Sequence, residues 1–355
     1  MSQVSNRFLF GDRYRALLDA ARKGVYALPA VNVVSSSTAN GALEAAAEAG
    51  SDIIIQVSGG GAQFYAGQGI KDKLTAQVQG AVSFAIHTKR MAKAYGVNVI
   101  LHTDHANRSL LPWIDGLIEE GQKYYEIHGE PLFSSHMLDL SEEPLKENIA
   151  TCKEYLVKLN AIEMALEIEL GVTGGEEDGV NNEDIDESKL YTRPEDVLYA
   201  YEELKEIGTF TVAASFGNVH GVYKPGNVKL TPSILKNSQA AVQEKHSTDD
   251  KPMSFVFHGG SGSTTEEIRE AIDYGVFKMN IDTDTQFGYS KPVYDYVIAN
   301  QDRMSRQIGS KDDPNAPNKK IIDPRKWMRA GEIGFKERLL KAFSDLKGTG
   351  NALKS

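Results

Sequence analysis

Eight apolar, β-branched runs separated by helix-like stretches constrain this 355-residue chain more than any other feature. The runs are Leu28–Val34, Asp52–Ser58, Val97–His102, Ser134–Leu140, Glu163–Leu170, Phe210–Phe216, Ser254–His258 and Val276–Ile281. Each is short and nearly continuous in apolar character, as a strand covered on both faces should be. Helix signals lie between them. Thr38–Ala49 stops at Gly50, Leu74–Tyr95 stops at Gly96, and another stretch opens with Pro194 at a first helical position. Strand and helix in strict alternation make a parallel sheet, and eight such units are the count of a (β/α)8 TIM barrel. A doubly wound open sheet is the rival. It would gather functional groups at one switch point, whereas here polar residues close nearly every strand.

Three segments depart from that rhythm within a single domain spanning residues 1–355. Gly174–Lys189 is glycine-rich and acidic, and reads as a mobile loop over the active site. Tyr223–Pro252 is an insertion after the sixth strand, with its own helical stretch over Ile234–Lys245. Arg303–Met328 is polar and contains prolines, so it is expected to cross the surface or reach a neighbouring subunit, with a C-terminal extension beyond the barrel.

Composition narrows the function classes. A net charge of −10 disfavours nonspecific nucleic-acid binding, but a local cluster of amides and cations still permits a small anionic substrate. No apolar run reaches the length of a membrane span, and Met1–Phe10 lacks the layout of a secretory signal. The one cysteine, Cys152, precludes an intrachain disulfide and suits the reducing cytoplasm. It precedes a helical stretch with no base beside it, and is read as inert packing.

The chemistry sits at the strand ends. Leu101-His102-Thr103-Asp104-His105 brings two imidazoles and a carboxylate to the end of the third run, and Glu167-Ile168-Glu169, His220-Gly221 and His258-Gly259-Gly260 follow later ones. His105, Glu169, His220 and His258 are therefore candidate ligands of a divalent metal. Histidine and carboxylate suit Zn²⁺, with Co²⁺, Mn²⁺ or Fe²⁺ as substitutes, and the lack of thiolates argues against a closed structural site. His87, His128, His136 and His246 are assigned no role. Gly217–Gly221 and Gly259–Thr264 are candidate phosphate cradles, the second leading into a helix N-terminus at Thr264/Thr265-Glu266-Glu267; Asn280-Ile281-Asp282-Thr283 could close the same pocket. Asp104 can either shuttle a proton or orient an imidazole, and spacing leaves both open. Glu176 and Glu177 are either a proton-abstracting pair on a closing loop or a solvated acidic turn. No lysine stands out as a Schiff-base former, so a carbanion here needs a Lewis-acid metal as electron sink.

These segments resemble a known family. Val99–His105 (VILHTDH), Leu166–Asp178 (LEIELGVTGGEED), Ser215–Gly226 (SFGNVHGVYKPG) and Val256–Gly262 (VFHGGSG) are similar to signature blocks of class II, metal-dependent fructose-bisphosphate aldolases, of the longer-chain subgroup. Lys278–Gln286 (KMNIDTDTQ) and Asp323–Gly331 (DPRKWMRAG) extend the match across almost the whole chain. The resemblance implies a cytoplasmic homodimeric lyase of glycolysis and gluconeogenesis. It would cleave fructose 1,6-bisphosphate reversibly to dihydroxyacetone phosphate and glyceraldehyde 3-phosphate. His105, His220 and His258 would hold Zn²⁺, with Glu169 serving a more buried position of the ion. Glu177 would remove the C1 proton, Asn280 would steady the enediolate, and Asp104 would exchange a proton with the aldehyde oxygen. Gly221, Lys224, Gly259, Ser261, Asp282 and Thr283 would cradle the ketose phosphate, with Asn32 and Ser58 touching substrate. Carbonyls around Val219, Gly221 and Gly259 would bind Na⁺ or K⁺, and Arg325 would reach the second phosphate from a partner subunit. One departure is visible: Gly59-Gly60-Gly61 stands where the family commonly has Asn-Gly-Gly.

A tagatose-bisphosphate aldolase differs in the configuration of one substrate carbon. A metal-dependent barrel hydrolase would want a His-X-His pair after the first strand, and Ala30-Val31-Asn32-Val33 offers none. A catalytically silent scaffold would have lost a ligand or a proton carrier, and all are present.

Overall fold

The computed structural model describes residues 7–354, apart from 173, 178–179, 182–190, 221–229 and 261–262; of 174–177, 180–181 and 219–220 it describes the backbone alone. Eight parallel strands close into a barrel: β1 (Leu28–Asn32), β2 (Ile53–Val57), β3 (Val99–Thr103), β4 (Ser135–Leu138), β5 (Ala165–Leu170), β6 (Phe210–Ala214), β7 (Phe255–Phe257) and β8 (Val276–Ile281). Each pairs with its sequence neighbours, and β8 closes on β1 with Leu28 opposite Lys278 and Ala30 opposite Asn280. The open-sheet rival is thereby excluded. Helices follow the strands in turn, including Ser36–Ala49, Lys73–Tyr95, Pro194–Leu204 and Ser233–His246.

Local chemistry sets the helix ends. Ser35 and Thr38 form a reciprocal capping box, Asp72 caps Lys73–Tyr95, and Gly50 and Gly96 stop their helices in the left-handed conformation at φ 61° and 72°.

The strand period of two divides the core. Val31, Val33, Ile53, Ile55, Val57, Val99, Leu101, Leu166, Ile168, Val212, Phe255 and Phe257 pack outward with the helices. Leu28, Ala30, Ile54, Ile100, Met137, Ala165, Ala213 and Val256 form a separate inner cluster. Helix Gly11–Gly24, which the sequence reading did not place, joins this inner cluster through Tyr14, Leu17, Leu18 and Ala21. It thus packs against the apolar lower end of the barrel. On β1 to β7, two residues beyond that cluster, the next side chains are polar.

Two of the expected segments contain regular structure. Within the expected mobile loop 174–189, backbone 174–177 and 180–181 forms a short antiparallel pair whose first strand also pairs with Val219–His220. That partner lies more than forty residues away along the chain, beyond local pattern. The polar segment expected to run to Met328 ends at Asp323, where Pro324 opens helix Pro324–Asp345. Cys152 lies inside helix Leu145–Asn160 rather than before it. It is buried, its Sγ donates to Asn148 Oδ1 at 3.2 Å, and burial pushes the thiol well up, as inert packing requires.

Candidate active site

Polar side chains fill the upper half of the barrel in two levels. The lower level holds His102, Glu167 and Lys278. The upper holds Asn32, Asp104, His105, Glu169, His258 and Asn280. All but Asn32 and His105 are at most 7% exposed. Strand period explains the pairing of levels: His102 and Asp104, Glu167 and Glu169, and Lys278 and Asn280 are each two residues apart.

His105 follows β3 with φ 34°, a left-handed conformation that is unusual for a side chain of this size. Its Nδ1 lies 3.0 Å from Asp139 Oδ2 and 3.6 Å from Glu169 Oε2. A carboxylate can only accept there, so the ring carries its proton on Nδ1 and turns its Nε2 lone pair inward. His258 is held the other way round, with Nε2 2.8 Å from Glu167 Oε1. By the same argument its lone pair is on Nδ1. The two lone-pair nitrogens, His105 Nε2 and His258 Nδ1, face each other at 2.8 Å.

Glu167 is the hub beneath them. Lys278 Nζ donates to both of its oxygens, at 2.9 and 2.7 Å, and His102 Nε2 lies 3.5 Å away. Burial alone would raise the Glu167 carboxyl; Lys278, His102 and the His258 hydrogen bond instead hold it well below the usual carboxylate range. Asp139 behaves alike. Burial opposes its charge, but hydrogen bonding and charge from His105 bring it down to about 2. Burial keeps His258 below the ordinary imidazole value, and His102 further below it.

Asp104 is bound to amides instead. Its Oδ2 accepts from Asn32 Nδ2 at 2.9 Å and its Oδ1 from Asn280 Nδ2 at 3.1 Å, while Gln56 Nε2 donates to Asn32 Oδ1 at 2.6 Å. Asp139 and Glu167 do the imidazole-orienting that the sequence left open for Asp104. Asp139, Glu167, Lys278 and Gln56 were not assigned from sequence; Glu167, Lys278 and Gln56 each stand two residues before a recognised group, Glu169, Asn280 and Ser58, whereas Asp139 follows a strand that carries none.

The glycine-rich runs meet at a buried asparagine. Asn218 Oδ1 accepts from Phe216 N at 2.7 Å, and its Nδ2 donates to His258 O at 3.0 Å, tying the loop after β6 to the end of β7. Gly259 takes φ 62°, which favours glycine, and a Cβ on Gly260 would meet Met279 Cε at 2.3 Å, so that side chain would have to move. Thr264 caps helix Thr265–Asp273 in a capping box with Glu267. Asp282 precedes helix Thr283–Ala299 and accepts from Gln286 Nε2 at 2.8 Å. Ser58 caps the short helix Gly59–Tyr65, accepting from Gly61 N at 3.1 Å. Arg325 stands in the first turn of helix Pro324–Asp345, its side chain 87% exposed and bonded to Asp323. Gly221, Lys224 and Ser261 lie outside the described residues, as do the side chains of Val219, His220, Glu176 and Glu177.

A match to the family described as "Fructose-bisphosphate aldolase class-II" covers residues 12–351. The chain belongs to the class II fructose-bisphosphate aldolase family. It is 57% identical over 338 residues to a fructose-bisphosphate aldolase of Campylobacter jejuni, covering 95% of each chain. It is 53% identical over 339 residues to the class 2 fructose-bisphosphate aldolase of Escherichia coli K12, covering 95% of this chain and 94% of that one. The crystal structure of the Campylobacter jejuni fructose-bisphosphate aldolase superposes with a TM-score of 0.88 at 54% identity, covering 97% of each chain.

Class II aldolases depend on a metal, and the site fits one. Asp104, His105 and His258 each offer a ligand atom within 4.8 Å of the others, as do His105, Asp139 and Glu169. Two lone pairs held 2.8 Å apart repel unless a proton or a cation lies between them. Neutral imidazoles with carboxylate support suit a borderline divalent ion. No helix among the described residues is long and apolar enough to cross a membrane.

Proposed function

We propose that this chain cleaves fructose 1,6-bisphosphate reversibly to dihydroxyacetone phosphate and glyceraldehyde 3-phosphate, as a cytoplasmic Zn²⁺ enzyme of glycolysis and gluconeogenesis. The observation that carries the metal-dependent chemistry is the convergence of His105 Nε2 and His258 Nδ1 at 2.8 Å, each fixed by a carboxylate behind it. His105, His220 and His258 would hold a divalent ion, with Glu169 serving a more buried position, and the chemistry it would supply when bound is Lewis-acid polarisation of the ketone. Lys278 does not compete as a Schiff-base former, because its ammonium is committed to both oxygens of Glu167.

Asp104 moves the proton of the C4 hydroxyl. It takes it as the C3–C4 bond breaks and returns it to the aldehyde oxygen in condensation. Asn32 and Asn280 hold the carboxylate in place for that exchange. Asn280 can also face the oxygen on which charge develops. Glu177 exchanges the C1 proton of dihydroxyacetone phosphate, on the carbon that is C3 of the bisphosphate. Its backbone belongs to the hairpin that pairs with Val219–His220, so the base and a metal ligand share one small sheet. Gly221, Lys224, Gly259, Ser261, Asp282 and Thr283 receive the ketose phosphate at the loops after β6, β7 and β8, with Asn32 and Ser58 at the adjoining ends of β1 and β2. Carbonyls of Val219, Gly221 and Gly259 take Na⁺ or K⁺.

A homodimer completes this reading, with Arg325 reaching the partner's substrate. Phe287, Tyr294 and Ile298, on one face of helix Thr283–Ala299, are 66%, 60% and 51% exposed, which supports a covering subunit.

Fructose 1,6-bisphosphate cleavage by the purified chain, before and after EDTA and again after Zn²⁺, tests the proposal, with tagatose 1,6-bisphosphate run alongside. Loss on chelation, recovery with zinc and a preference for fructose are expected. Cleavage that survives complete metal removal would overturn it.

A further inference from the structure

The ion-paired carboxylate below the site has no direct task in the reaction just described. Glu167 is 2% exposed and Lys278 1% exposed, and each is the other's principal partner. Removing two charges from water this completely costs several kcal/mol per ion, so a pair kept here needs a use besides stability. Its geometry supplies one. The same Oε1 that accepts from Lys278 at 2.9 Å also lies 2.8 Å from His258 Nε2.

An imidazole has one proton and two nitrogens, and only the nitrogen without the proton can bind a metal ion. Around Nδ1 of His258 stand Asn280 Nδ2 at 3.2 Å, which can only donate, and His105 Nε2 at 2.8 Å. Around Nε2 stands the Glu167 carboxylate. Lys278 holds that carboxylate at both oxygens, so it faces His258 as an acceptor and stays there. We infer that Glu167, clamped by Lys278, is a positioning residue that keeps the proton of His258 on Nε2 and thereby sets the divalent-metal affinity of the site. This rests on the metal-dependent reading above and deepens it.

The clamp makes a specific variant informative. In Glu167→Gln the side chain keeps its size but offers one acceptor and one donor end. Lys278 can use only the oxygen, and its shorter contact is to the Oε2 position at 2.7 Å; with the amide oxygen there, the NH₂ takes the Oε1 position and faces His258 Nε2. It then asks for a lone pair there, pushing the ring proton onto Nδ1, where it blocks ligation. In the double variant Glu167→Gln with Lys278→Met, nothing competes for the amide oxygen, and it can return to His258.

The test is competition of the full-length chain with a chromogenic chelator for Zn²⁺ and Co²⁺, with the Co²⁺ d–d spectrum recorded on the folded fraction. Wild type is measured first. Loss of a supporting partner of this kind typically weakens metal affinity about 10- to 100-fold, and that loss is expected for Glu167→Gln. Partial recovery is expected in the double variant, although it is the less conservative change. A purely structural pair predicts the opposite order: both variants lose stability, the double variant more, and their folded fractions bind metal like wild type. That result would overturn the inference. A wild type that binds neither ion would overturn the metal-dependent reading, and this inference with it.

If the variants do not fold, ¹⁵N-histidine spectra of the wild-type chain still decide the matter, because only 8 histidines are present. His258 as the Nε2–H tautomer, with and without Zn²⁺, supports the assignment. His258 as the Nδ1–H tautomer in the metal-free chain refutes it.

Discussion

Asn280, on the last strand, reaches across the barrel mouth to donate to Asp104 after the third, 3.1 Å away and 176 positions earlier in the chain. With Asn32 on the other oxygen at 2.9 Å, it leaves Asp104 buried but held by neutral donors, unlike the ion-paired Glu167. Asp104→Asn therefore removes the proton carrier while keeping its shape. A fall in kcat of about 10²- to 10⁴-fold is expected, with zinc stoichiometry unchanged. Equal losses of bound zinc and of activity would assign Asp104 to metal binding instead.

Metal removal should be visible in stability as well as in rate. Without an ion, the lone pairs of His105 Nε2 and His258 Nδ1 are pressed together at 2.8 Å. A ligand that binds only the folded chain stabilises it by about 4 kcal/mol at a thousandfold excess over Kd. Zn²⁺ should raise the Tm of the EDTA-treated chain, and replacing His105 by Ala should abolish most of that rise. Calorimetry with and without the ion checks both.

Acid should destabilise the fold through its buried histidines. His136, buried outside the barrel against Thr103 Oγ1 at 2.8 Å, is lowered by burial to about 3. Its folded pKa lies below the unfolded value of about 6.5, so the unfolded chain gains a proton that the fold refuses. Stability should therefore decline as pH falls from about 6.5 toward 3, by an amount on the order of a few kcal/mol. His102 and His258 are shifted the same way and add to the slope, while Asp139, lowered to about 2, contributes only below about pH 4. Urea midpoints of the metal-free chain at pH 7.5 and 5 should differ less in His136→Gln than in wild type.

Gly80 is a close-approach position in helix Lys73–Tyr95. A Cβ there would lie 1.8 Å from Ala62 O, in the short helix that Ser58 caps. Gly80→Ala must push these helices apart, at a cost of about 1–3 kcal/mol by analogy with overpacked cores. Because Ser58 rides on the displaced helix, a rise in KM exceeding any fall in kcat is expected. Denaturation and steady-state kinetics on the same preparation separate the two effects.

Much of this protein is written along the chain. Strand and helix periods are local, so the eight units could be read from runs such as Val276–Ile281, whose bounds the structure reproduces without change. His105, Glu169, His258 and Asn280 were legible because they sit at or just beyond the ends of apolar runs. Helix Gly11–Gly24 was not, since its partners Ile54, Ala213 and Val256 exist as one surface only after the barrel closes. Nor could spacing say which carboxylate serves which imidazole. Asp139 lies 34 positions from His105, Glu167 lies 91 from His258, and Lys278 lies 111 from Glu167. Sequence by itself determined the units and the chemical groups at their ends, because propensity and period act over a few residues. Barrel closure alone decided which groups meet, because hydrogen bonds and ion pairs act through space, over about 3 Å, whatever the separation along the chain.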